Sequence, residues 1–473
     1  FKSKNVDFDG NKQAFFDEFV HSSFCEETVR TIMENEDKIM KQWRLKNRIL
    51  EIKNQKILLP NGTVGKVYET KIDFKGLKLN DLIFLKFKGL EELGLSFNKD
   101  TCIIHGIPNQ SGNIKIKLLF NTIEEPISSS SNEKIINIVV NPDPKSLWKD
   151  LPTNKYDIFW KKDDEVISVN LGDKQMVAAS KRGRSHKNAG NFRDDDFAYN
   201  HFVKNGWSVV AVSDGAGSYS LARKGSQLAC NAVVEYFEEY ADKEQIKNFE
   251  TKLNEYNVTK DEDLLKEIEI LSKKKLYGAT VYVHNQIKNH AEKTFVEHPE
   301  LFNSSKAKTL LDYYHSTLIF VLFKKYDFGY VVLSFGVGDC PIAITNKGKT
   351  QTDLLNWLDV GEFGGGTRFI TQPNIFHSQK HPMATRFNFK IVQDFSYIFL
   401  MTDGIYDPKF GVEANLEKNE NWIKFINDLK GDNEDGMKIE FDKANDDIAK
   451  QLSDWMDFWS IGNHDDRTLV IIF

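Results

Sequence analysis

Trp207-Ser208-Val209-Val210-Ala211-Val212-Ser213-Asp214-Gly215-Ala216-Gly217 is the stretch from which the rest of the chain can be read. Its β-branched and apolar residues predict a short buried strand, and Asp-Gly ends it in a turn. Leu221, Ala222, Leu228, Ala229, Ala232, Val233, Tyr236 and Phe237 follow at three-and-four spacing, the pattern of a helix with one apolar face. Comparable strand candidates stand at 316–323, 329–335, 397–401 and 468–473. Strands mixed with helices indicate an α/β or α+β domain.

Several of these strands stop at a carboxylate. The run at 329–335 leads into Gly336-Val337-Gly338-Asp339, and the run at 397–401 leads into Thr402-Asp403-Gly404. Asp465-Asp466 precedes the last strand, and Asp194-Asp195-Asp196 precedes Phe197-Ala198-Tyr199. Asp-Gly after a strand is also a common turn, so one instance means little. Repeated in one domain, the pattern gathers carboxylates at one edge of a sheet, where buried like charges must protonate or take up cations. Oxygen donors without clustered Cys or His suit Mg²⁺ or Mn²⁺ better than zinc. Gly215 lets the backbone turn, and its carbonyl can approach an ion. Two such ions can activate water toward phosphorus, so metal-assisted phosphate ester hydrolysis is the chemistry expected.

Upstream, apolar residues among Glu and Lys at 12–53 predict a pair of amphipathic helices, within a helical segment at 1–55. Between 56 and 142 short alternating stretches are divided by turns at Pro60-Asn61-Gly62, Asn98-Lys99-Asp100, Asn109-Gln110-Ser111-Gly112 and 128–132, which predicts a small β-sandwich. Leu95-Ser96-Phe97-Asn98-Lys99-Asp100-Thr101, His105-Gly106-Ile107-Pro108 and Ser111-Gly112-Asn113-Ile114 resemble immunoglobulin-like or cadherin-like modules over roughly 85 residues. Such modules bind or space other domains, and no chemistry follows from this one. Asn141-Pro142-Asp143-Pro144 marks the exit into a linker at 143–164, before the domain at 165–473. Within that domain the Lys- and Glu-rich helical stretch at about 239–311 is expected as an insertion or lid on the surface.

The 473 residues bear a formal net charge of −6, which leaves no broad cationic field for nucleic acid or anionic lipid. Cys25, Cys102, Cys230 and Cys340 form no Cys-x-x-Cys pair, so no disulfide framework is indicated. The longest apolar runs, 318–323 and 397–401, fall far short of the roughly 20 residues that span a bilayer. A cytoplasmic protein with no membrane partner is expected. Phe1 stands at the first position, consistent with a fragment of a longer chain.

The motif order over 165–473 resembles the metal-dependent Ser/Thr phosphatases of the 2C type, in their divergent bacterial branch. The matching elements are Ser185-His186 followed by Gly190 to Asp195, Asp214-Gly215-Ala216-Gly217, His315-Ser316-Thr317-Leu318, Gly338-Asp339, Gly361-Glu362-Phe363 with Thr367, Thr402-Asp403-Gly404, and Asp465-Asp466-Arg467-Thr468. The resemblance implies an α+β fold in four αββα layers, with a dimetal site at one end of the sandwich. It implies Asp214 bridging two Mg²⁺ or Mn²⁺ ions, the Gly215 carbonyl on one of them, and Asp403 and Asp465 on the other. Asp195 would join directly or through water, and Asp339 would lie near a third, weaker ion. Ser316-Thr317 would begin a core strand without chemistry. A phosphorylated protein substrate and a cognate Ser/Thr kinase are implied as partners.

Departures matter too. Eukaryotic members carry a phosphate-gripping Arg five residues before the Asp195 position, where this chain has Gly190. Arg184 and His186 are the candidates to replace it, and His186 is also a candidate acid for the leaving alkoxide, weighed against a packing histidine. Ala216 stands where many members have His, Asp194 where Glu is frequent, and Cys340-Pro341 where Ser-Arg is usual. His377 and His381 are four apart but lack a metalloprotease context, Gly364-Gly365-Gly366 lacks the setting of a phosphate loop and reads as a hinge, and Lys273-Lys274-Lys275 reads as a solvated face. The reading favoured is an enzyme hydrolysing phosphoserine or phosphothreonine. The alternative is a catalytically weak phosphatase-like module that binds a phosphorylated partner. A metal-dependent nuclease is disfavoured by the acidic charge balance.

Overall fold

The computed structural model describes residues 13–126, 130–240, 243–359, 366–379 and 382–473. The residues fall into two compact units, Phe1–Leu147 and Trp148–Phe473. In the first, α1 (Gln13–Val20) and the long α2 (Ser23–Asn54) precede seven strands. These are β1 (Gly62–Thr63), β2 (Tyr68–Lys71), β3 (Leu82–Lys88), β4 (Leu95–Asn98), β5 (Ile103–Gly106), β6 (Gly112–Thr122) and β7 (Asn132–Asn141). They form one sheet in the order β1-β7-β6-β3 and a second in the order β2-β5-β4. Alternate residues of β7, Ile136, Ile138 and Val140, are buried while Ile135 and Val139 are exposed, the period-two pattern of strands covered on one side. The β-rich module expected from the turn residues is present. The expected turn at 128–132 lies partly outside the described residues.

The second unit has two antiparallel sheets. Its elements are β8 (Asp164–Leu171), β9 (Lys174–Lys181), α3 (Arg184–Ala189), β10 (Asp196–Phe202), β11 (Trp207–Ser213), α4 (Ala222–Glu235), α5 (Lys243–Thr259), α6 (Glu262–Glu297), β12 (Leu318–Tyr326), β13 (Gly329–Val337), β14 (Ile342–Asn346), β15 (Thr352–Leu354), β16 (Phe387–Val392), β17 (Phe395–Met401), α7 (Asp403–Phe410), α8 (Asn419–Leu429), α9 (Ile448–Trp455) and β18 (Arg467–Ile472). One sheet runs β10-β11-β12-β13-β16, the other β15-β14-β17-β18-β9-β8.

Side-chain alternation explains why the strands look uniformly apolar in sequence. Val210, Val212, Ile319 and Val321 of the first sheet meet Ala178, Ile398, Leu400 and Val470 of the second in the inter-sheet layer. The intervening Val209, Ala211, Phe320 and Leu322 face outward onto α4 and α6. Val177, Phe399, Met401, Leu469 and Ile471 face outward onto α7, α8 and α9. Both faces of both sheets are therefore covered, which builds the four-layer αββα sandwich of an α+β fold.

The stretch expected as a surface insertion includes one of these layers. α6 buries Ile268, Ser272, Leu276, Ala279, Thr280, Val283, Ile287, Ala291 and Thr294 along one face, packed in the same cluster as β11, β12 and β13. The Lys and Glu residues that gave the stretch its surface character lie on the remaining circumference. Gly225 shows how closely α4 seats beside this layer, because a Cβ there would stand 2.1 Å from the Tyr314 carbonyl oxygen.

Leu400→Ala is expected to destabilise the second unit by about 2–5 kcal/mol through a cavity between the sheets, with little scope for collapse because both sheets are pinned by their ladders. Urea unfolding checks this. A midpoint unchanged within error would contradict the packing described.

Candidate functional site

Each candidate carboxylate is placed by the end of a strand. β10 and β11 pair with Asp196 opposite Ser213, so Asp194 and Asp195 enter the sheet where Asp214 leaves it. β17 and β18 pair with Met401 opposite Leu469, which puts Thr402-Asp403 beside Asp465-Asp466. The Asp214 N–H donates to Thr317 Oγ1 at 2.9 Å, and the Thr317 N–H donates to the Asp214 carbonyl at 2.8 Å. Gly215 forms an isolated bridge with Ser316, and a Cβ on it would lie 2.7 Å from the Asp194 carbonyl oxygen. Gly404 is tighter still, since a Cβ there would lie 1.8 Å from the Asp466 carbonyl oxygen. The two Asp-Gly pairs are thus required by backbone approach as much as by turning.

The structure brings Asp195, Asp214, Asp339, Asp403 and Asp465 into one electrostatic cluster. Burial holds Asp214 well above the usual carboxylate range, and the charges of Asp403, Asp195, Asp465 and Asp339 push it further in the same direction. Burial raises Asp403 strongly, reinforced by Asp465, Asp339 and Asp195. Asp195 is pushed up to about 7 by burial and by Asp466, although Thr402 Oγ1 and Thr468 Oγ1 each donate to its Oδ2 at 2.8 Å. Burial and Asp466 also raise Asp194 to about 7. Asp465 is raised by burial and then by the adjoining Asp466.

Oxygens of Asp214 and Asp339 and the Cys340 Sγ lie within 4.8 Å of one another. Burial raises the Cys340 thiol well above its ordinary pKa, and beside two carboxylates a hard cation takes oxygen in preference to sulfur. Thr367 Oγ1 donates to Asp339 Oδ2 at 2.7 Å, whereas the buried Asp339 Oδ1 accepts no hydrogen bond among the described residues. An oxygen left without a donor, amid carboxylates that repel, is the donor set a hard divalent cation takes. The residues fit Mg²⁺ or Mn²⁺.

His186 and Asp466 form the partnership that sequence left open. His186 Nδ1 stands 3.0 Å from both Asp466 oxygens, and Nε2 stands 3.8 Å from Asp194 Oδ2. Burial opposes its charge, yet the hydrogen bond and charge of Asp466 raise His186 to about 9. Burial would likewise raise Asp466, but the hydrogen bond from His186 and those from the Gly183 and Asp194 N–H groups hold it low. Oxygen or nitrogen atoms of His186, Asp465 and Asp466 also lie within 4.8 Å of one another.

Arg184 is placed elsewhere. Its Nη1 donates to the Phe458 carbonyl at 3.1 Å and its Nη2 to the Asp457 carbonyl at 2.7 Å, with the guanidinium 5.1 Å from the Trp459 ring. Gly190, the position at which the resemblance implied an Arg in eukaryotic members of that family, ends α3 at φ +74°, a conformation that disfavours any side chain. Residues 361–365 and His381, singled out from sequence, lie outside the described residues.

Thr317, Thr367, Thr402, Thr468, Asp194 and Asp466 hold the site together without having been assigned a role there from sequence. The three positions 194, 402 and 466 adjoin carboxylates that were singled out, Asp195, Asp403 and Asp465, so adjacency was the available signal.

A family model described as Protein phosphatase 2C matches residues 182–456. Among solved structures, the Mycobacterium tuberculosis serine/threonine phosphatase PstP/Ppp is 13% identical, with a TM-score of 0.34, covering 63% of this chain and 97% of that one. The S. agalactiae serine/threonine phosphatase is 13% identical, with a TM-score of 0.34, covering 66% and 99%. The catalytic domain of PstP in complex with two manganese ions is 14% identical, with a TM-score of 0.36, covering 63% and 97%. No curated protein matches the chain.

Two outcomes test this geometry. Thr402→Val removes a donor to Asp195 and the acceptor of the Thr468 N–H, and is expected to cost about 1–3 kcal/mol in urea unfolding; an unchanged midpoint would contradict it. The pH dependence has a definite sign. Asp194 and Asp195, raised to about 7, make the folded state bind protons more tightly than the unfolded chain, so stability rises as pH falls through about 7. His186 acts in the same direction, its contribution complete below 6.5 and lost as pH rises through about 9. Asp466 opposes this only in acid, toward its own depressed value. Protein freed of divalent ions is expected to lose thermal stability steadily from pH 6 to 9; a midpoint that holds or climbs over that interval would contradict the assignment.

Proposed function

Because the chain belongs to the protein phosphatase 2C family, we propose that it hydrolyses phosphoserine or phosphothreonine on proteins at the carboxylate-lined end of its sandwich. The observation that carries this reading is the convergence of strand-end carboxylates on Asp214, with an unpartnered buried oxygen on Asp339 beside it.

Asp214, Asp403 and Asp465, with the Gly215 carbonyl and Asp195, are the proposed ligands of two Mg²⁺ or Mn²⁺ ions, and Asp339 of a third. Such ions supply Lewis acidity, which acidifies water and neutralises phosphoryl oxygens. The chain's own part is positional and protic. Thr317 fixes the Asp214 backbone, and Thr402 and Thr468 orient Asp195. Asp466 holds the His186 ring through Nδ1, leaving Nε2 as the position from which a proton passes to the leaving alkoxide. Arg184, engaged with two carbonyls, has no part in gripping phosphate in this reading, and His186 is the cation of the pair that remains.

Gly190 favours a second reading, in which the absence of a phosphate-gripping Arg leaves a module that binds a phosphorylated partner with little turnover. A cognate protein kinase is the counterpart either reading requires, and no nucleic acid or membrane enters. Among the described residues no helix is long and apolar enough to cross a membrane, and a cytoplasmic setting is part of this proposal.

Phosphate release from a phosphothreonine peptide in Mn²⁺ is expected, with Asp214→Asn reducing turnover at least about 100-fold, since even partners behind metal ligands are worth 10–100-fold. Absence of release alongside tight phosphopeptide binding would give the second reading its place. Mn²⁺ is expected to raise the melting temperature of the unsubstituted protein and to lose most of that effect in Asp214→Asn. No calorimetric uptake of Mn²⁺ would overturn the metal assignment.

A further inference from the structure

Arg193 stands two residues before Asp195 and is among the largest fully buried side chains, at 1% exposed. A buried charge is costly unless its donors are met. Its Nε donates to the Lys162 carbonyl at 3.2 Å and its Nη2 to Glu165 Oε2 at 3.2 Å. Its Nη1 donates to the Asp195 carbonyl at 3.0 Å and, over a shorter contact, to Ser180 Oγ. So little surface leaves it no access to a phosphate, and it is no substitute for the Arg missing at position 190.

The Ser180 contact carries the arginine through to the carboxylate. β9 and β18 pair Ser180 with Thr468, whose hydroxyl oxygens are 2.7 Å apart, and Thr468 Oγ1 donates to Asp195 Oδ2 at 2.8 Å. The direction of this run is fixed, because an arginine N–H can only donate and each hydroxyl has one proton. With the Thr468 proton directed at Asp195, the Ser180 proton is directed at Thr468, and Ser180 Oγ accepts from Arg193. Every donor from Arg193 through Ser180 and Thr468 therefore points toward Asp195, and each bond polarises the next in the same sense. All four residues are at most 1% exposed, so water does not compete.

The main chain of Asp195 is held as well. Lys161 is buried and donates from Nζ to the same Asp195 carbonyl at 2.6 Å and to Asp196 Oδ2 at 3.1 Å. Two cations meet the carbonyl while the relay meets the carboxylate, which fixes Asp195 at both ends. We propose that Arg193 is a positioning residue of the metal centre: acting on Asp195 directly and through Ser180 and Thr468, it sets the affinity of the site for Mg²⁺ or Mn²⁺. This rests on the dimetal reading above and adds to it a residue that touches neither ion nor substrate.

Calorimetric titration of the full chain with Mn²⁺ is the test. Ser180→Ala opens the relay with a small change of volume. Arg193→Lys keeps the charge, but one ammonium cannot span the Ser180 hydroxyl and the Asp195 and Lys162 carbonyls together. Each is expected to weaken Mn²⁺ binding about 10-fold or more, the range found for groups behind metal ligands. Phosphopeptide affinity at saturating Mn²⁺, read as KM or as Kd if turnover is slight, is expected to be unchanged within error. Should Arg193→Lys fail to fold, Ser180→Ala decides alone. Either folded variant binding Mn²⁺ as the unsubstituted protein does, or a loss of Mn²⁺ affinity matched by an equal loss for phosphopeptide at saturating Mn²⁺, would overturn the proposal while leaving the dimetal reading in place. No Mn²⁺ uptake by the unsubstituted protein would overturn that reading and this proposal with it.

Discussion

Repulsion among buried carboxylates is the constraint around which the second unit is organised. Asp195, Asp214, Asp339, Asp403 and Asp465 arrive from separate strands, and all five are raised above their ordinary range by burial before neighbouring carboxylates add to the effect. Such a grouping persists only where the surrounding structure over-determines it. Here the means are visible. A backbone-to-backbone bond and a bond from the Asp214 N–H to the Thr317 hydroxyl lock Asp214 to Thr317, two threonine hydroxyls share Asp195 Oδ2, and glycines at 215 and 404 let chain segments approach to distances no side chain would permit.

The αββα sandwich supplies that rigidity. Antiparallel ladders fix the register of β10 against β11 and of β17 against β18, so the residues that leave one strand face those that enter the next. Helices on both outer faces bury alternate residues of strands whose other residues fill the inter-sheet layer. Displacing one strand by a single position would turn its apolar set around, so the site's geometry is coupled to the whole core.

His186 shows a different economy. In sequence it is one histidine in a polar segment, with surface packing as plausible as chemistry. In the structure Asp466 takes both the imidazole and two backbone N–H groups, becoming the one carboxylate of the cluster held low while its neighbours are held high. Opposed protonation preferences side by side are the arrangement from which acid and base roles are drawn. Arg184, equally prominent in sequence, is turned to carbonyls because the chain at Asp457 and Phe458 passes beside it.

The sequence by itself determined which segments become strands, because runs such as 207–212 and 397–401 are apolar at all or nearly all positions, and it determined that strands end in aspartates, because Asp-Gly turns the chain out of a ladder. It also held the evidence that α6 is a core helix, in the spacing of Ile268, Leu276, Val283 and Ile287, but composition hid it: abundant Lys and Glu describe the outer circumference of a helix and say nothing of the inner one. Tertiary structure alone decided which carboxylates meet, that Asp466 belongs to His186, and that Thr402 and Thr468 share Asp195. The reason is range. Strand and turn preferences are set by neighbours a few residues away, while the contacts of His186 with Asp466 and of Asp195 with Thr402 and Thr468 join positions more than two hundred residues apart, fixed only when two sheets close face to face.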